Sequence, residues 1–133
     1  MQGVLKLLRP ADLVPHEAVD PERVTALIEE LRASGEFYPP VLVDDATRVI
    51  LDGHHRWRAS TTMGLRALPC YCVDYLGDPM IRVMSRRPGI SVSKPEVLAM
   101  AKSGNVYPLK TTRHMYDLPE SVEPIALDRL LGN

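Results

Sequence analysis

The chain has 133 residues, of which 45% are hydrophobic and 25% are charged, and its formal net charge is -1. This size and composition predict one globular domain with a single core and exclude disorder along the whole length. A charge so close to neutral gives no extended positive field for a polyanion, so we expect no nucleic-acid partner. Apolar stretches are only a few residues long, and residues 1–10 lack signal-peptide features, so we expect a cytoplasmic protein with no membrane partner.

The first half of the chain predicts alternating strands and helices. Asp20 followed by Pro21 is a typical helix start, apolar residues follow at helical spacing, and Gly35 ends the pattern. Gly53 then turns the chain from a β-branched run into a second helix. The predicted elements are a strand over 4–8, a helix over 21–34, a hairpin of strands over 41–43 and 49–51, a helix over 54–63 and a strand over 67–75.

The second half of the chain is less regular. Ser93 and Glu96 form a capping box that starts a helix, and Gly104 ends it. No repeat or polar linker divides the sequence, so residues 1–133 are interpreted as a single domain with a subdivision near Gly77. The other expected features are a strand over 81–84, an extended pair at 106–107, a polar loop over 110–114 and an amphipathic tail over 125–131 that packs back or frays.

The two cysteines, Cys70 and Cys72, are one residue apart in a predicted strand. Their side chains therefore point to the same face, where a disulfide between them would be badly strained. We expect reduced thiols in or near the core. A metal site would need further ligands, and the sequence offers no second cysteine pair to supply them.

The strongest local motif joins the strand at 49–51 to the following helix. It consists of Gly53, His54, His55 and Arg56, preceded by an aspartate. The first turn of a helix has unpaired N–H groups and a positive dipole end, and a glycine lets a phosphate approach the main chain. The two histidines and the arginine can add charge-assisted hydrogen bonds, so the motif predicts a phosphate site.

The two residues that flank this motif leave alternatives open. Asp52 would repel a phosphate unless a cation lies between them, so it is either a Mg²⁺ ligand or a capping residue of the helix, and we favour a role in the site. Trp57 is either a core or edge aromatic or a ligand-facing side chain.

Two further polar clusters complete the candidate site. The segment 107–114 holds two hydroxyls, two cations and an imidazole within its last five residues, a set that suits an anionic small ligand. His16 and Glu17 lie in a proline-bounded segment before the first helix. All four histidines of the chain fall in these three segments, which we expect to converge on one cleft.

Together these segments resemble the ParB/sulfiredoxin-like superfamily, and within it the free serine kinases, which make O-phospho-L-serine from serine and a nucleoside di- or triphosphate. The resemblance covers most of the chain and follows its order. It rests on Pro15-His16-Glu17, on residues 35–40, on residues 49–58 with the Asp-Gly-His-His-Arg-Trp run, and on residues 107–114 with the Lys-Thr-Thr-Arg-His run.

This resemblance implies an α/β (α+β) fold of one domain, with a small mixed sheet and packed helices. It also implies a kinase that uses ATP or ADP with Mg²⁺ and phosphorylates free L-serine or a related hydroxy amino acid. Residues 1–76 would be the ParB-like nucleotide-binding core, and residues 77–133 would carry the acceptor box. The implied catalytic residues are Glu17 as the base, Asp52 as the metal ligand, and His55; the phosphate-binding residues are Gly53, His54, His55 and Arg56; the substrate-binding residues are Trp57, Lys110, Thr111, Thr112, Arg113 and His114.

One departure from the longer members of this family concerns the link between the two halves. Those members carry a large insertion there, whereas only Leu76 to Tyr107 join the halves of this chain. Part of the nucleotide pocket or a lid would then be missing or supplied by a second subunit, so a homo-oligomer is allowed.

Three rival interpretations compete with the kinase. A ParB-like module that binds CTP or nucleic acid is disfavoured because no helix-turn-helix follows and the charge is slightly acidic. Sulfiredoxin needs a nucleophilic cysteine where His54 stands, and Cys70 and Cys72 lie in another segment. A ParB-like regulatory module that binds a nucleotide such as CTP, or nucleic acid, and has no kinase activity stays open as the alternative function.

Overall fold

A computed structural model describes residues 2–132, which form eight strands and four α-helices with one short 3₁₀ helix at Pro10–Asp12. In chain order these elements are β1 (Gly3–Leu8), α1 (Pro21–Ser34), β2 (Glu36–Phe37), β3 (Val41–Asp44), β4 (Ile50–Asp52), α2 (His54–Met63), β5 (Leu68–Val73), β6 (Arg82–Ser85), α3 (Lys94–Lys102), β7 (Thr112–Met115), β8 (Ile125–Ala126) and α4 (Leu127–Leu130).

The central sheet has four strands in the order β1-β5-β3-β4. β5 is antiparallel to β1 and parallel to β3, and β3 is antiparallel to β4, so the sheet is mixed. All six residues of β5 are buried because its alternate side chains enter two separate cores. Cys70 and Cys72 belong to the core on the α1 and α2 face, and Tyr71 and Val73 to the core that includes residues of α3.

The cysteine prediction is confirmed, since both residues are buried thiols on one face of β5. Burial raises the pKa of the Cys70 thiol to about 12 and also raises the pKa of Cys72. Both side chains are therefore protonated at neutral pH and serve as small apolar groups of the core.

The predicted helix starts are confirmed by their caps. The Asp20 side chain accepts a hydrogen bond from the Glu22 N–H at 3.0 Å, and the Ser93 side chain accepts one from the Glu96 N–H at 3.3 Å. α1 ends at Gly35, whose φ of 71° is in the left-handed region that favours glycine. These local signals fix where α1 and α3 begin, and through them where the adjoining loops lie.

The amphipathic tail packs back onto the domain. Leu127 and Leu130 of α4 are buried in the core beneath α1 and α2. β8 pairs with β2, with Phe37 opposite Ile125. The apolar face of the tail thus completes the core.

The prediction of a loop over 110–114 is wrong for most of its length. Thr112 begins β7, which pairs antiparallel with β6, so that Thr112 is opposite Ser85 and His114 is opposite Val83. Pairing with β6 satisfies the backbone of a polar run that local composition alone assigns to a loop. Lys110 keeps a turn conformation with φ of 59°.

Candidate functional site

The three predicted segments line one cleft of about 820 Å³. β4 leads directly into α2 beside it, and β7 lies against β4. The segment with His16 and Glu17 is joined to residues 107–114 by backbone hydrogen bonds. The Tyr107 N–H donates to the His16 carbonyl at 2.8 Å, and the Ala18 N–H donates to the Tyr107 carbonyl at 2.9 Å. The lining includes Glu17, Asp52, Gly53, His54, His55, Arg56, Lys110, Thr112, Arg113 and His114.

The N-terminus of α2 has the geometry that a phosphate site requires. Gly53 has φ of 104°, and a Cβ at this position would lie 2.7 Å from Nη2 of Arg56. No side chain among residues 2–132 caps the helix, so the N–H groups of its first turn are available to a ligand. Nε of Arg56 is buried and has no hydrogen-bond partner within this part of the chain. An anion in the cleft could satisfy these donors.

Asp52 is held by two neighbours and does not cap the helix. The Tyr116 hydroxyl donates to Oδ2 of Asp52, and Nη2 of Arg56 lies 3.9 Å from the same oxygen. Burial and the nearby carboxylate raise the pKa of Tyr116, which keeps its hydroxyl protonated. About half of the Asp52 side chain is exposed, so a carboxylate oxygen remains available in the cleft.

His54 and His55 are neutral, which corrects the prediction of charge-assisted contacts from these rings. Nε2 of His54 accepts the His16 N–H, and Nε2 of His55 accepts the Asp20 N–H, both at 3.0 Å. A ring nitrogen that accepts from a backbone N–H carries no proton. Burial also lowers the pKa of both rings, that of His54 strongly. The two histidines therefore fix the main chain around the cleft and offer it only neutral Nδ1–H donors.

Glu17 is oriented by three hydrogen bonds to a single carboxylate oxygen. Oε1 accepts from the N–H groups of Thr111 at 3.1 Å and Thr112 at 2.6 Å, and it lies 2.9 Å from the Thr112 hydroxyl. The second oxygen, Oε2, is left for a ligand in the cleft that Glu17 lines. A carboxylate fixed in this way can receive a proton without losing its position.

Residues 110–114 include cations that face the cleft and buried groups that make structural contacts. Lys110 and Arg113 line the cleft, and Arg113 is exposed. Thr111 is fully buried, and its hydroxyl donates to the Pro108 carbonyl, so the structure places its side chain outside the cleft lining. His114 lines the cleft, but its Nε2 lies 2.8 Å from the Tyr75 hydroxyl, and burial lowers its pKa to about 3.

Trp57 makes structural contacts in this domain. Its indole N–H donates to the Pro10 carbonyl at 2.9 Å, and its ring packs against the core beneath α1 and α2. Trp57 is not part of the cleft lining. Of the two interpretations left open by the sequence, the core or edge aromatic is therefore the one that the structure supports.

Several cleft residues were missed by the sequence analysis. Arg86 follows β6 and reaches the cleft because β6 pairs with β7, with the Arg86 N–H donating to the Thr111 carbonyl at 2.8 Å. Arg23 of α1 also lines the cleft. In total, five cationic side chains face four carboxylates there, so the cleft is suited to an anionic ligand although the chain as a whole is slightly acidic. The five cations are Arg23, Arg56, Arg86, Lys110 and Arg113, and the four carboxylates are Glu17, Asp20, Glu30 and Asp52.

Two kinds of feature are absent from the part of the chain that the structure describes. Across residues 2–132, no group of three or more histidine, cysteine, aspartate or glutamate side chains is arranged to hold a metal ion. None of the helices described for these residues is long and apolar enough to span a bilayer.

The mixed sheet, with a cation-rich cleft at a helix N-terminus beside it, defines a small α/β domain with one candidate site. The family model for the ParB N-terminal domain matches residues 4–85, and the chain belongs to this family.

Three relatives are similar in sequence. A ParB-like protein of Sulfolobus acidocaldarius is 42% identical over 71 residues, which cover 53% of this chain and 35% of that protein. An ATP-dependent L-serine kinase of Staphylothermus marinus is 30% identical over 98 residues, covering 71% of this chain and 38% of the kinase. An ADP-dependent L-serine kinase, SerK, of Thermococcus kodakarensis is 30% identical over 92 residues, covering 66% and 38%. The chain thus spans little more than a third of the length of these relatives.

Two solved structures share the fold. A free serine kinase in complex with AMP superposes with a TM-score of 0.77 at 19% identity, covering 96% of this chain and 93% of that one. SbnI of Staphylococcus aureus, with a C-terminal truncation, superposes with a TM-score of 0.78 at 14% identity, covering 97% and 90%. These likenesses establish the architecture.

Proposed function

We propose that this domain is a cytoplasmic kinase that transfers a phosphoryl group from ATP or ADP to the hydroxyl of a free amino acid, L-serine, giving O-phospho-L-serine. The observation that carries the proposal is that Glu17 and the N-terminus of α2 line the same cleft. A fixed carboxylate beside a group of phosphate-binding donors is the arrangement that phosphoryl transfer to a hydroxyl requires. The L-serine kinases among the relatives lend support. Nucleic acid has no role in this proposal.

The donor nucleotide would bind at the N-terminus of α2. The first-turn N–H groups and the Arg56 guanidinium supply donors for its phosphates, and Gly53 allows close approach. His54 and His55 would contribute neutral Nδ1–H groups. Positive charge at this end of the cleft would therefore come from Arg56 and the helix dipole, because both imidazoles are uncharged.

Asp52 is the residue that would hold Mg²⁺. Magnesium is usually bound by one or two carboxylates together with substrate phosphates and waters, so the lack of a protein-only cage among residues 2–132 does not conflict with it. The half-exposed carboxylate of Asp52 beside the phosphate donors fits that requirement. When bound, the ion would neutralise negative charge on the donor phosphates.

The acceptor amino acid would lie between Glu17 and the cations of residues 110–114. Arg113, Lys110 and Arg86 line this part of the cleft and can pair with the carboxylate of an amino acid. Its hydroxyl would then face Oε2 of Glu17, which would accept the proton as the oxygen attacks phosphorus.

The direct test is incubation of the protein with ATP or ADP, Mg²⁺ and each free hydroxy amino acid, followed by mass detection of phosphorylated products. We expect O-phospho-L-serine to form fastest. A second candidate is a ParB-like nucleotide-binding regulatory module without chemistry, and one relative, at 42% identity, bears only the name ParB-like protein. Nucleotide binding with no phosphorylated amino acid under any condition would support that candidate and reject the kinase.

Arg56 and Arg113 are expected to act on different ligands. Arg56→Ala should weaken nucleotide binding and turnover, whereas Arg113→Ala should chiefly raise the KM for the amino acid. Each lost charge-assisted contact should cost about 1.5–3 kcal/mol, which corresponds to roughly tenfold to a hundredfold in affinity. Nucleotide titration and steady-state kinetics of both variants measure this. Equal losses of nucleotide affinity, with an unchanged dependence on the amino acid, would contradict the acceptor role of residues 110–114.

A further inference from the structure

A chain of hydrogen-bond contacts runs from the cleft to a fully buried imidazole. Oε1 of Glu17 lies 2.9 Å from Oγ1 of Thr112, and this hydroxyl lies 2.9 Å from Nε2 of His16. Nδ1 of His16 lies 2.7 Å from the Ile50 carbonyl in β4. His16 has no exposed surface, so its ring can exchange a proton only through these neighbours.

The protons available to this chain do not fill its three contacts. The Ile50 carbonyl accepts only, so Nδ1 of His16 must carry a proton. At the other end, Oε1 of Glu17 already accepts two backbone N–H groups, and this carboxylate oxygen has no proton to give to Thr112. Neutral His16 and Thr112 bring two protons to three contacts. The single hydroxyl proton of Thr112 can therefore be donated to Glu17 or to His16, and one contact lacks a proton.

The surroundings of His16 keep its ring neutral in this state. The rings of His54, His114 and Tyr107 lie with their centroids 4.5, 5.6 and 6.3 Å from that of His16. Burial lowers the pKa of His16, while the carboxylates of Glu17 and Asp52 and the Ile50 carbonyl act in the opposite direction. A proton that reaches Glu17 changes this balance, because it removes the charge to which Thr112 donates.

On the basis of the proposed kinase function, we propose that Glu17, Thr112 and His16 act as one unit that holds the proton removed from the substrate hydroxyl, with Thr112 and His16 as positioning residues. The substrate O–H bond breaks and its proton binds Oε2 of Glu17. The substrate oxygen forms a bond to phosphorus, and the shortened nucleotide leaves with the electron pair of the broken P–O bond. The Thr112 hydroxyl then turns its proton from Oε1 of Glu17 to Nε2 of His16, so the contact that lacks a proton moves from His16 to the neutral carboxyl group of Glu17.

The coupling can be tested without any kinase activity. The probe is the Nε2 resonance of His16 in the ¹⁵N spectrum of the free protein, measured before and after Glu17→Gln. We expect Glu17→Gln to shift this resonance in the wild-type background and in a Thr112→Ser background, which retains the hydroxyl. In a Thr112→Val background the shift should be lost, since the hydroxyl that transmits it is absent. Two results would overturn the proposal: no shift of the resonance in the wild-type and Thr112→Ser backgrounds, or a shift that persists in the Thr112→Val background.

The kinase reaction supplies the second measurement. Thr112→Val should move the acid limb of the pH profile of kcat to higher pH, by about one pH unit for the loss of one charge-assisted hydrogen bond. Thr112→Ser should restore the wild-type limb. Thr25→Val is the matched control, because it removes a hydroxyl that donates to the Pro21 carbonyl in α1, away from the cleft, and its acid limb should match that of the wild type.

The two measurements separate failure of the inference from failure of the proposed function. A wild-type protein with no phosphorylated product but with the expected resonance shifts would reject the kinase and retain the coupled unit. An active kinase whose pH profile and resonances respond alike to Thr112→Val and Thr112→Ser would reject the coupled unit and retain the kinase.

Discussion

Glu17→Gln should reduce turnover by about 10²- to 10⁴-fold and leave the domain folded, because it removes the base while retaining an oxygen at Oε1. Oε1 accepts from the N–H groups of Thr111 and Thr112, and the amide oxygen of glutamine can continue to accept both. What is lost is the ability of Oε2 to receive the substrate proton. The measurement is kcat from mass detection of the product, with thermal unfolding as the check on folding.

Glu22→Gln is the matched control for this change. Glu22 is exposed in the first turn of α1 and does not line the cleft, so the same change of charge there should leave kcat near that of the wild type. Glu17→Ala is a poorer test, because it would leave two buried N–H groups without their acceptor and would also destabilise the fold. If Glu17→Gln kept kcat within about threefold of the wild type, Glu17 would not be the base.

Local sequence signals were sufficient for most of the secondary structure. Asp20 and Ser93 cap their helices as their sequence contexts predict, and Gly35 ends α1 in the left-handed conformation. These features depend on a few neighbouring residues, so they can be derived from the chain alone. The strand at 112–115 could not, because its backbone is satisfied by β6, a partner about thirty residues earlier in the chain.

The candidate site was predicted in its composition but only partly in its chemistry. The convergence of Glu17, Asp52 and Arg113 followed from three polar clusters in a small chain, and the structure places them around one cleft. The protonation of the histidines could not be derived, because it depends on the N–H groups of His16 and Asp20, residues distant in sequence from the rings that accept from them. A long-range contact of this kind has no local signature.

Other long-range contacts explain why the sequence did not single out Arg86 and could not decide between the two interpretations of Trp57. Arg86 lies in the cleft only because β6 pairs with β7, whereas Trp57 faces the core because its indole N–H finds the Pro10 carbonyl. In both cases the residue type allowed either role. The pairing of β6 with β7 and the hydrogen bond from Trp57 to Pro10 decided between the roles, and the spacing of residues in the sequence predicts neither contact.

Buried neutral histidines also imply that the domain loses stability in acid. Burial lowers the pKa of His114 to about 3, and it lowers the pKa of His16 and, more strongly, of His54. Below pH 6.5 the unfolded chain binds protons at these rings and the folded chain does not. The stabilisation is therefore complete above pH 6.5 and is lost as the pH falls towards the folded-state pKa of each ring.

Below pH 6.5 we expect each such histidine to lower the free energy of unfolding by about 1.4 kcal/mol for every pH unit that the pH falls. His114→Gln should therefore reduce the slope of the free energy of unfolding against pH by about 1.4 kcal/mol per pH unit. Urea unfolding at pH 8, 7, 6 and 5 measures it, and the histidine contribution to the slope should disappear between pH 8 and pH 7. His55→Gln is the control, because His55 is partly exposed and its pKa is lowered less, so its loss should change the slope less. A slope between pH 6 and pH 5 that is the same in His114→Gln as in the wild type would mean that His114 is already protonated in the folded domain. Its contact with the Tyr75 hydroxyl would then be that of a cation donating to an oxygen.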